Sequence, residues 1–166
     1  QKTAYELSVW LEFRLCSSDL DILTKYLVVV NIAEHERLNI IGSFFQLTLI
    51  YNRGGLFGIL QGYQNLFLIV SIIVLIFITA FFIYEKNKTL PFCTAIALIT
   101  SGAVGNILDR LTGRKGVVDF IFIGNDDFFR YPAFNVADAV IVVGAFLLFI
   151  VFFKEEKERK RKAKEA

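Results

Sequence analysis

The sequence predicts an all-α integral membrane protein with four transmembrane helices and a small extracytoplasmic β-sheet. Three observations support this fold class. Hydrophobic residues make up 55% of the 166 residues, they form long uncharged runs, and a Lys/Arg-rich tail closes the chain. The net charge of +2 is too small to favour a nucleic-acid partner, and no stretch has the pattern of a cleavable signal peptide.

Three of the predicted spans are apolar runs at residues 66–84, 92–108 and 133–153. Residues 66–84 carry no charge and, at about 1.5 Å per residue, nearly cross a ~30 Å hydrocarbon core. The second run is rich in small residues, which suit close helix packing in lipid, and Asp138 is the one charge in the third.

The first predicted span, residues 8–30, has the right length but contains charged residues. Charges at the centre of a bilayer cost a few kcal/mol each on insertion scales. Two interpretations stay open: Glu12 and Arg14 pair inside the bundle, or the span begins later and tilts.

The positive-inside rule sets the predicted orientation. The basic tail, residues 154–166, is expected in the cytoplasm, so four spans put both termini there. Residues 1–153 then form one membrane domain, with residues 31–65 outside. Within that outer segment, alternation over residues 45–51 leads into a Gly-rich turn, which predicts strands joined by a tight bend.

Polar residues at membrane depth are the candidates for chemistry, because holding them there is costly. The run at 92–108 ends near Asn106, Asp109 and Arg110, and the last span begins with Asn135 and Asp138. Both ends point outward, and Asp119 lies between them in an apolar stretch.

Two carboxylates in a partly dry site cannot both ionise cheaply, so one keeps its proton. If Asp119 and Asp138 meet, the ionised one can take a proton from water while the other polarises a carbonyl, without metal or cofactor. His35 is the only histidine, and Cys16 and Cys93 lack metal-site spacing, so we expect no metal.

Other interpretations of the acids stay open at this point. Asp109 beside Arg110 also fits a structural polar network, and Asp138 also fits an ion-pair partner of Arg110. Asp126 and Asp127 fit solvated acids of an exposed turn.

Two other function classes compete with the acid pair. In a small transporter or channel subunit, Asp138 and Arg110 would line a polar path, although the chain has no inverted repeat. A serine/lysine membrane peptidase would use Ser43 or Ser101 with Lys25.

Five motifs in order resemble those of bacterial lipoprotein signal peptidase, also called signal peptidase II. They are Asp21-Ile-Leu-Thr-Lys25, Asn52-Arg-Gly-Gly-Leu-Phe-Gly58, Gly105-Asn-Ile-Leu-Asp-Arg110, Val118-Asp-Phe120 and Phe134-Asn-Val-Ala-Asp138. The resemblance runs from about Asp21 to Gly144. Two departures are Ile22, where the family often has Gln, and the unusually polar start of the first helix.

The resemblance implies an aspartyl endopeptidase that removes the signal peptide from diacylglyceryl-modified prolipoproteins, cutting just before the lipidated cysteine. It assigns the roles as follows: catalytic, Asp119 and Asp138; substrate-binding, Asn52, Gly54, Asn106, Arg110 and Asn135; supporting, Asp21, Lys25 and Asp109. It also implies a bacterial inner-membrane location, a site facing the extracytoplasmic side, contact with membrane lipid, and inhibition by the cyclic peptide globomycin. We expect a monomer.

Overall fold

The computed structural model describes residues 2–55, 60–112, 115–125 and 129–165. The side chains of Glu12, Arg14, Asp126 and Asp127 and the motif residues 56–58 lie outside this description. The elements run in chain order: α1 (Lys2–Asn31), β1 (Arg37–Ile41), β2 (Phe45–Asn52), α2 (Gln64–Tyr84), α3 (Leu90–Leu111), β3 (Val117–Asn125), β4 (Phe129–Phe134) and α4 (Val136–Glu165).

Helix α3 forms the centre of the bundle, because its small residues let its neighbours approach closely. It begins after Thr89, whose side chain accepts a hydrogen bond from the Phe92 N–H as an N-cap. A Cβ added to Gly102 would lie 2.4 Å from the Ala137 carbonyl of α4, and one on Gly144 would lie 2.8 Å from the Ala95 carbonyl of α3. Backbone contact of this kind is typical of helix packing in membranes.

In the described part of the chain, three helices are long and apolar enough to cross a membrane: α2, α3 and α4. The predicted fourth span starts at residue 133, but the helix starts at Val136 because the preceding residues belong to β4. Helix α4 continues through the basic tail to Glu165. Helix α1 has 30 residues, or about 45 Å, and a fourth span formed by α1 stays a prediction.

The sheet is antiparallel and has the strand order β1-β2-β3-β4. Strands β1 and β2 fall in the segment predicted to contain strands, whereas β3 and β4 come from the segment between α3 and α4, which the sequence analysis left unassigned. One face packs on the end of α1, in a core formed by Val28, Ile32, Leu49, Val118 and Phe120. A second core, containing Phe82, Phe92 and Val151, lies among α2, α3 and α4 at the other end of the bundle.

Candidate active site

Asp119 lies on strand β3, where it is paired with Ile50 of β2 and is 3% exposed. Asn52 Nδ2 donates to Asp119 Oδ2 at 3.0 Å, and Asn135 Nδ2 donates to Asp119 Oδ1 at 2.8 Å. Asn52 pairs with Val117, two residues before Asp119, so strand alternation puts both side chains on one sheet face. Each carboxylate oxygen therefore receives one amide donor.

Asp138 lies in the first turn of α4, and its position is fixed by the residue that precedes the helix. The Asp138 N–H donates to Asn135 Oδ1 at 2.9 Å, and the Asn135 N–H donates to Asp138 Oδ2 at 3.2 Å. This reciprocal arrangement is a capping box, here with Asp in the place of the usual Glu or Gln. Asn135 therefore donates a hydrogen bond to each acid: its backbone N–H donates to Asp138, and its side-chain Nδ2 donates to Asp119.

Asn106 of α3 connects Asp138 to the rest of the bundle. Its Nδ2 donates to Asp138 Oδ1 at 2.8 Å, while its Oδ1 accepts from Asn135 Nδ2 at 3.1 Å and from Lys25 Nζ at 3.2 Å. These bonds fix the direction of the amide, because a flipped Asn106 would turn its NH₂ toward Lys25 and its oxygen toward Asp138.

Lys25 is a buried cation, 1% exposed, held between two acids. Its Nζ lies 2.7 Å from Asp21 Oδ2 and 2.8 Å from Asp109 Oδ2. Asp21 Oδ1 accepts the Ala137 N–H at 2.9 Å, and Asp109 Oδ2 accepts the Val118 N–H at 3.3 Å. This cluster therefore ties α1 and α3 to the start of α4 and to the strand that carries Asp119.

Arg110 connects α3 to the turn after β2. Its Nη1 donates to the Asn106 carbonyl and its Nη2 to the Gly54 carbonyl, each at 3.1 Å. The buried Arg110 Nε has no hydrogen-bond partner among the described residues. Gly54 in turn donates its N–H to Asn52 Oδ1 at 2.9 Å. The ten residues predicted for the site thus form one connected network.

The surroundings of Asp119 favour the protonated form of its carboxyl group. Burial raises the pKa of the Asp119 carboxyl to about 7, and the charge of nearby Asp138 acts in the same direction. The hydrogen bonds from Asn52 and Asn135 oppose this shift, because they stabilise the ionised form. Asp119 can therefore keep a proton near neutral pH.

A groove of about 620 Å³ opens beside the two acids. Its polar end contains Asp119, Asp138 and Arg110, whereas the remainder is mostly apolar and follows helices α2 and α4 across α3. The α2 lining extends from Phe67 to Ile78, which is about 16 Å along a helix axis. The groove therefore joins a pair of carboxyl groups to a long apolar surface at the flank of the bundle.

Gln61 is a contributor to the site that the sequence analysis missed. Its Nε2 donates to Asn52 Oδ1 at 3.0 Å, and its Oε1 accepts the Arg53 N–H at 3.1 Å. Gln61 is an exposed residue outside the five motifs and lies nine positions from Asn52, so no local pattern indicates this contact.

The residues proposed for a serine/lysine peptidase or for an Asp138–Arg110 ion pair form no hydrogen bond or ion pair with each other in the described part of the chain. Ser101 Oγ accepts a hydrogen bond from Ser17 Oγ and donates to the Leu98 carbonyl. The ammonium of Lys25 instead contacts Asp21, Asp109 and Asn106. The described hydrogen bonds of Asp138 go to Asn106 and Asn135, and those of Arg110 to backbone carbonyls. The described residues contain no cluster of His, Cys, Asp and Glu that could hold a metal ion.

Comparison with known proteins identifies the family. The model of the family described as Signal peptidase (SPase) II matches residues 15–154. Lipoprotein signal peptidases are similar along most of their length: that of Halalkalibacterium halodurans is 40% identical over 86% of this chain and 90% of its own, and that of Clostridium novyi is 36% identical over 83% and 93%.

A solved structure supports the same assignment. A bacterial membrane enzyme determined by the in meso method at 2.3 Å resolution superposes with a TM-score of 0.82, at 31% identity, over 91% of both chains. Together with the apolar helices, these matches indicate a bacterial inner-membrane protein. The chain belongs to the signal peptidase II family of proteases.

Proposed function

We propose that this chain is an aspartyl endopeptidase that removes the signal peptide from diacylglyceryl-modified prolipoproteins and cuts just before the lipidated cysteine. Family membership supports a protease that acts on prolipoproteins. The observation that carries the aspartyl mechanism is the link between two acids: Asn135 bonds both Asp119 and Asp138 at the polar end of an apolar groove.

In the first chemical step, Asp119 is the acid and Asp138 is the base. Asp138 takes a proton from water as the water oxygen attacks the scissile carbonyl carbon, and Asp119 gives its proton to the carbonyl oxygen. The product is a neutral gem-diol, with Asp119 now ionised and Asp138 protonated. The raised pKa of Asp119 supports this assignment of roles.

In the second step, the bond between the carbonyl carbon and the cysteine nitrogen breaks. Asp138 returns its proton to the leaving nitrogen, and Asp119 recovers a proton from a hydroxyl of the gem-diol as the new carboxylic acid forms. The cysteine amine is released, and both acids are back in their starting states. Free N–H groups of Arg110 are placed to bind substrate carbonyls. The Asn52 Nδ2 already donates to Asp119 and to the Gly55 carbonyl, so it would bind a substrate carbonyl by exchanging one of these two bonds.

The membrane arrangement proposed for this reaction has four spans, with both termini in the cytoplasm and the acids at the extracytoplasmic side. In α1, the charged residues Asp21 and Lys25 face inward, while Leu23, Leu27 and Val30 are at least half exposed, as a lipid-facing helix requires. The Lys/Arg-rich end of α4 supports a cytoplasmic C-terminus. The apolar groove would then receive the lipid-bearing substrate from the bilayer.

The test is cleavage of a diacylglyceryl-modified prolipoprotein by purified protein in detergent. We expect wild type to cut before the lipidated cysteine, and Asp119→Asn and Asp138→Asn to lose the activity. Asp19→Asn is the matched control, because Asp19 is an exposed aspartate of α1. Globomycin should inhibit wild type and the control alike.

Folding of each variant is checked by its thermal unfolding, so that loss of activity is not loss of structure. The proposed mechanism would be overturned if folded Asp119→Asn or folded Asp138→Asn cleaved at the full rate. It would also be overturned if wild type did not cleave under conditions in which another signal peptidase II is active.

A further inference from the structure

The turn between β1 and β2 exposes large apolar side chains. Here residues 40–44 are called the hairpin tip. Ile40 is 52% exposed, Ile41 is 68% exposed and Phe44 is 58% exposed, around Gly42, which takes a positive φ of 54° to make the turn. No charged residue occurs from Leu38 to Asn52. Such a cluster lacks the charged residues with which proteins usually protect an exposed sheet edge.

Strand β1 forms one edge of the sheet, and all five of its residues are exposed. The opposite end of the sheet is anchored, because Leu49 and Val118 pack on Val28 and Ile32 of α1. The hairpin tip therefore projects from a fixed base, and its apolar side chains are left uncovered by the described part of the chain.

The tip end of the sheet lies toward the flank of the bundle. Ile123, which pairs with Phe45 directly beside the hairpin tip, lines the same groove as Val142 of α4. Val142 lies six residues inside α4, about 9 Å below its start, and is 59% exposed. The groove thus continues from the exposed side of α4 to β3, the strand paired with β2 beside the tip.

We propose that the hairpin tip inserts into the boundary between headgroups and acyl chains of the leaflet that borders the sheet. Ile40, Ile41 and Phe44 enter the apolar layer, while Asn39 and Ser43 supply polar groups at headgroup level. Apolar side chains carried next to a transmembrane bundle lose their contact with water by this insertion, at the depth usual for interfacial segments. The contact holds the sheet against the membrane independently of any catalytic role of the acids.

Tryptophan fluorescence in lipid nanodiscs of phosphatidylethanolamine and phosphatidylglycerol tests this contact. Ile41→Trp and Phe44→Trp are made separately in a Trp10→Phe background, which removes the chain's one native tryptophan. Phe77→Trp, at a 71% exposed position of the apolar helix α2, is the lipid-facing control, and Lys157→Trp in the basic tail is the water-facing control.

We expect lipids brominated on the acyl chain to quench both tip tryptophans at least about half as strongly as Phe77→Trp, with little quenching by aqueous iodide. Quenching by iodide to the level of Lys157→Trp would overturn the proposal. Shielding of both tip positions from both quenchers would overturn it in favour of a protein partner, such as a second copy of the chain.

Discussion

Replacing Asn52 by Ala should move the alkaline limit of cleavage to higher pH. In the proposed mechanism Asp119 acts as an acid only while protonated, so kcat/KM should fall as pH rises through its pKa of about 7. The amide of Asn52 donates to Asp119 Oδ2 at 3.0 Å and so stabilises the ionised form. Without this donor, Asp119 holds its proton to a higher pH.

The size of the shift follows from the energy of one hydrogen bond. A hydrogen bond to a charged group contributes about 1.5–3 kcal/mol, and one pKa unit is equivalent to about 1.36 kcal/mol. Loss of the Asn52 donor therefore raises the pKa of Asp119 by about one to two units. We expect the lower end of this range, because Asn52 is partly exposed and water can replace its amide.

The measurement is the pH profile of kcat/KM for wild type and Asn52→Ala, with Asn31→Ala as control. The side-chain amide of Asn31 donates to the Leu27 carbonyl at the end of α1, so Asn31→Ala should leave the alkaline limit of kcat/KM unchanged. Asn52→Ala should also cleave more slowly at its best pH, which does not affect the position of this limit. If the alkaline limit of kcat/KM for Asn52→Ala lay at the wild-type pH or lower, the assignment of the acidic proton to Asp119 would be refuted.

Three further predictions concern residues around the acids. Gln61→Glu should lower kcat/KM by about 2- to 12-fold, the equivalent of one hydrogen bond of about 0.5–1.5 kcal/mol, because it loses the donor to Asn52. It should also move the alkaline limit of cleavage to higher pH, whereas Asn65→Asp, the same change of charge at an exposed position, should do neither. Lys25→Met should lower the free energy of unfolding by about 3–5 kcal/mol, because it leaves two buried carboxylates without their cation. Lys157→Met, at an exposed position, should change it by less than about 0.5 kcal/mol. Gly102→Ala should cost about 1–3 kcal/mol in thermal unfolding, since its methyl would lie 2.4 Å from a backbone carbonyl of α4; an unchanged melting temperature would contradict the packing described for α3.

The positions of the apolar helices could be predicted because lipid-compatible runs are long and uncharged. Residues 66–84 form most of α2, and residues 92–108 lie within α3. Strands β3 and β4 could not be predicted in the same way. Val117 to Ile123 is an almost continuous apolar run, since both faces of β3 are covered, and the alternation that indicates a half-buried strand is lost.

The site was predictable to the extent that its residues are costly to bury. Asp138 interrupts an apolar run, and Asp119 lies between apolar neighbours, so each is visible in the sequence. The amide links through Asn135 and Asn106 depend on contacts between elements far apart in the chain, and the sequence gives no measure of those distances. Gln61 was missed for a related reason, because an exposed glutamine has many ordinary roles.

The order of the elements has a consequence for the timing of activity. Ribosomes make a chain from its N-terminus, so Asn135 and Asp138, just before and within α4, are made after helices α1, α2 and α3. Until α4 packs against α3, the bundle has one carboxyl of the proposed pair, Asn106 has no acid to hold, and Asp21 lacks the Ala137 N–H. In the proposed mechanism, cleavage therefore begins only once α4 has packed against α3, and a partly assembled copy of the chain has no activity.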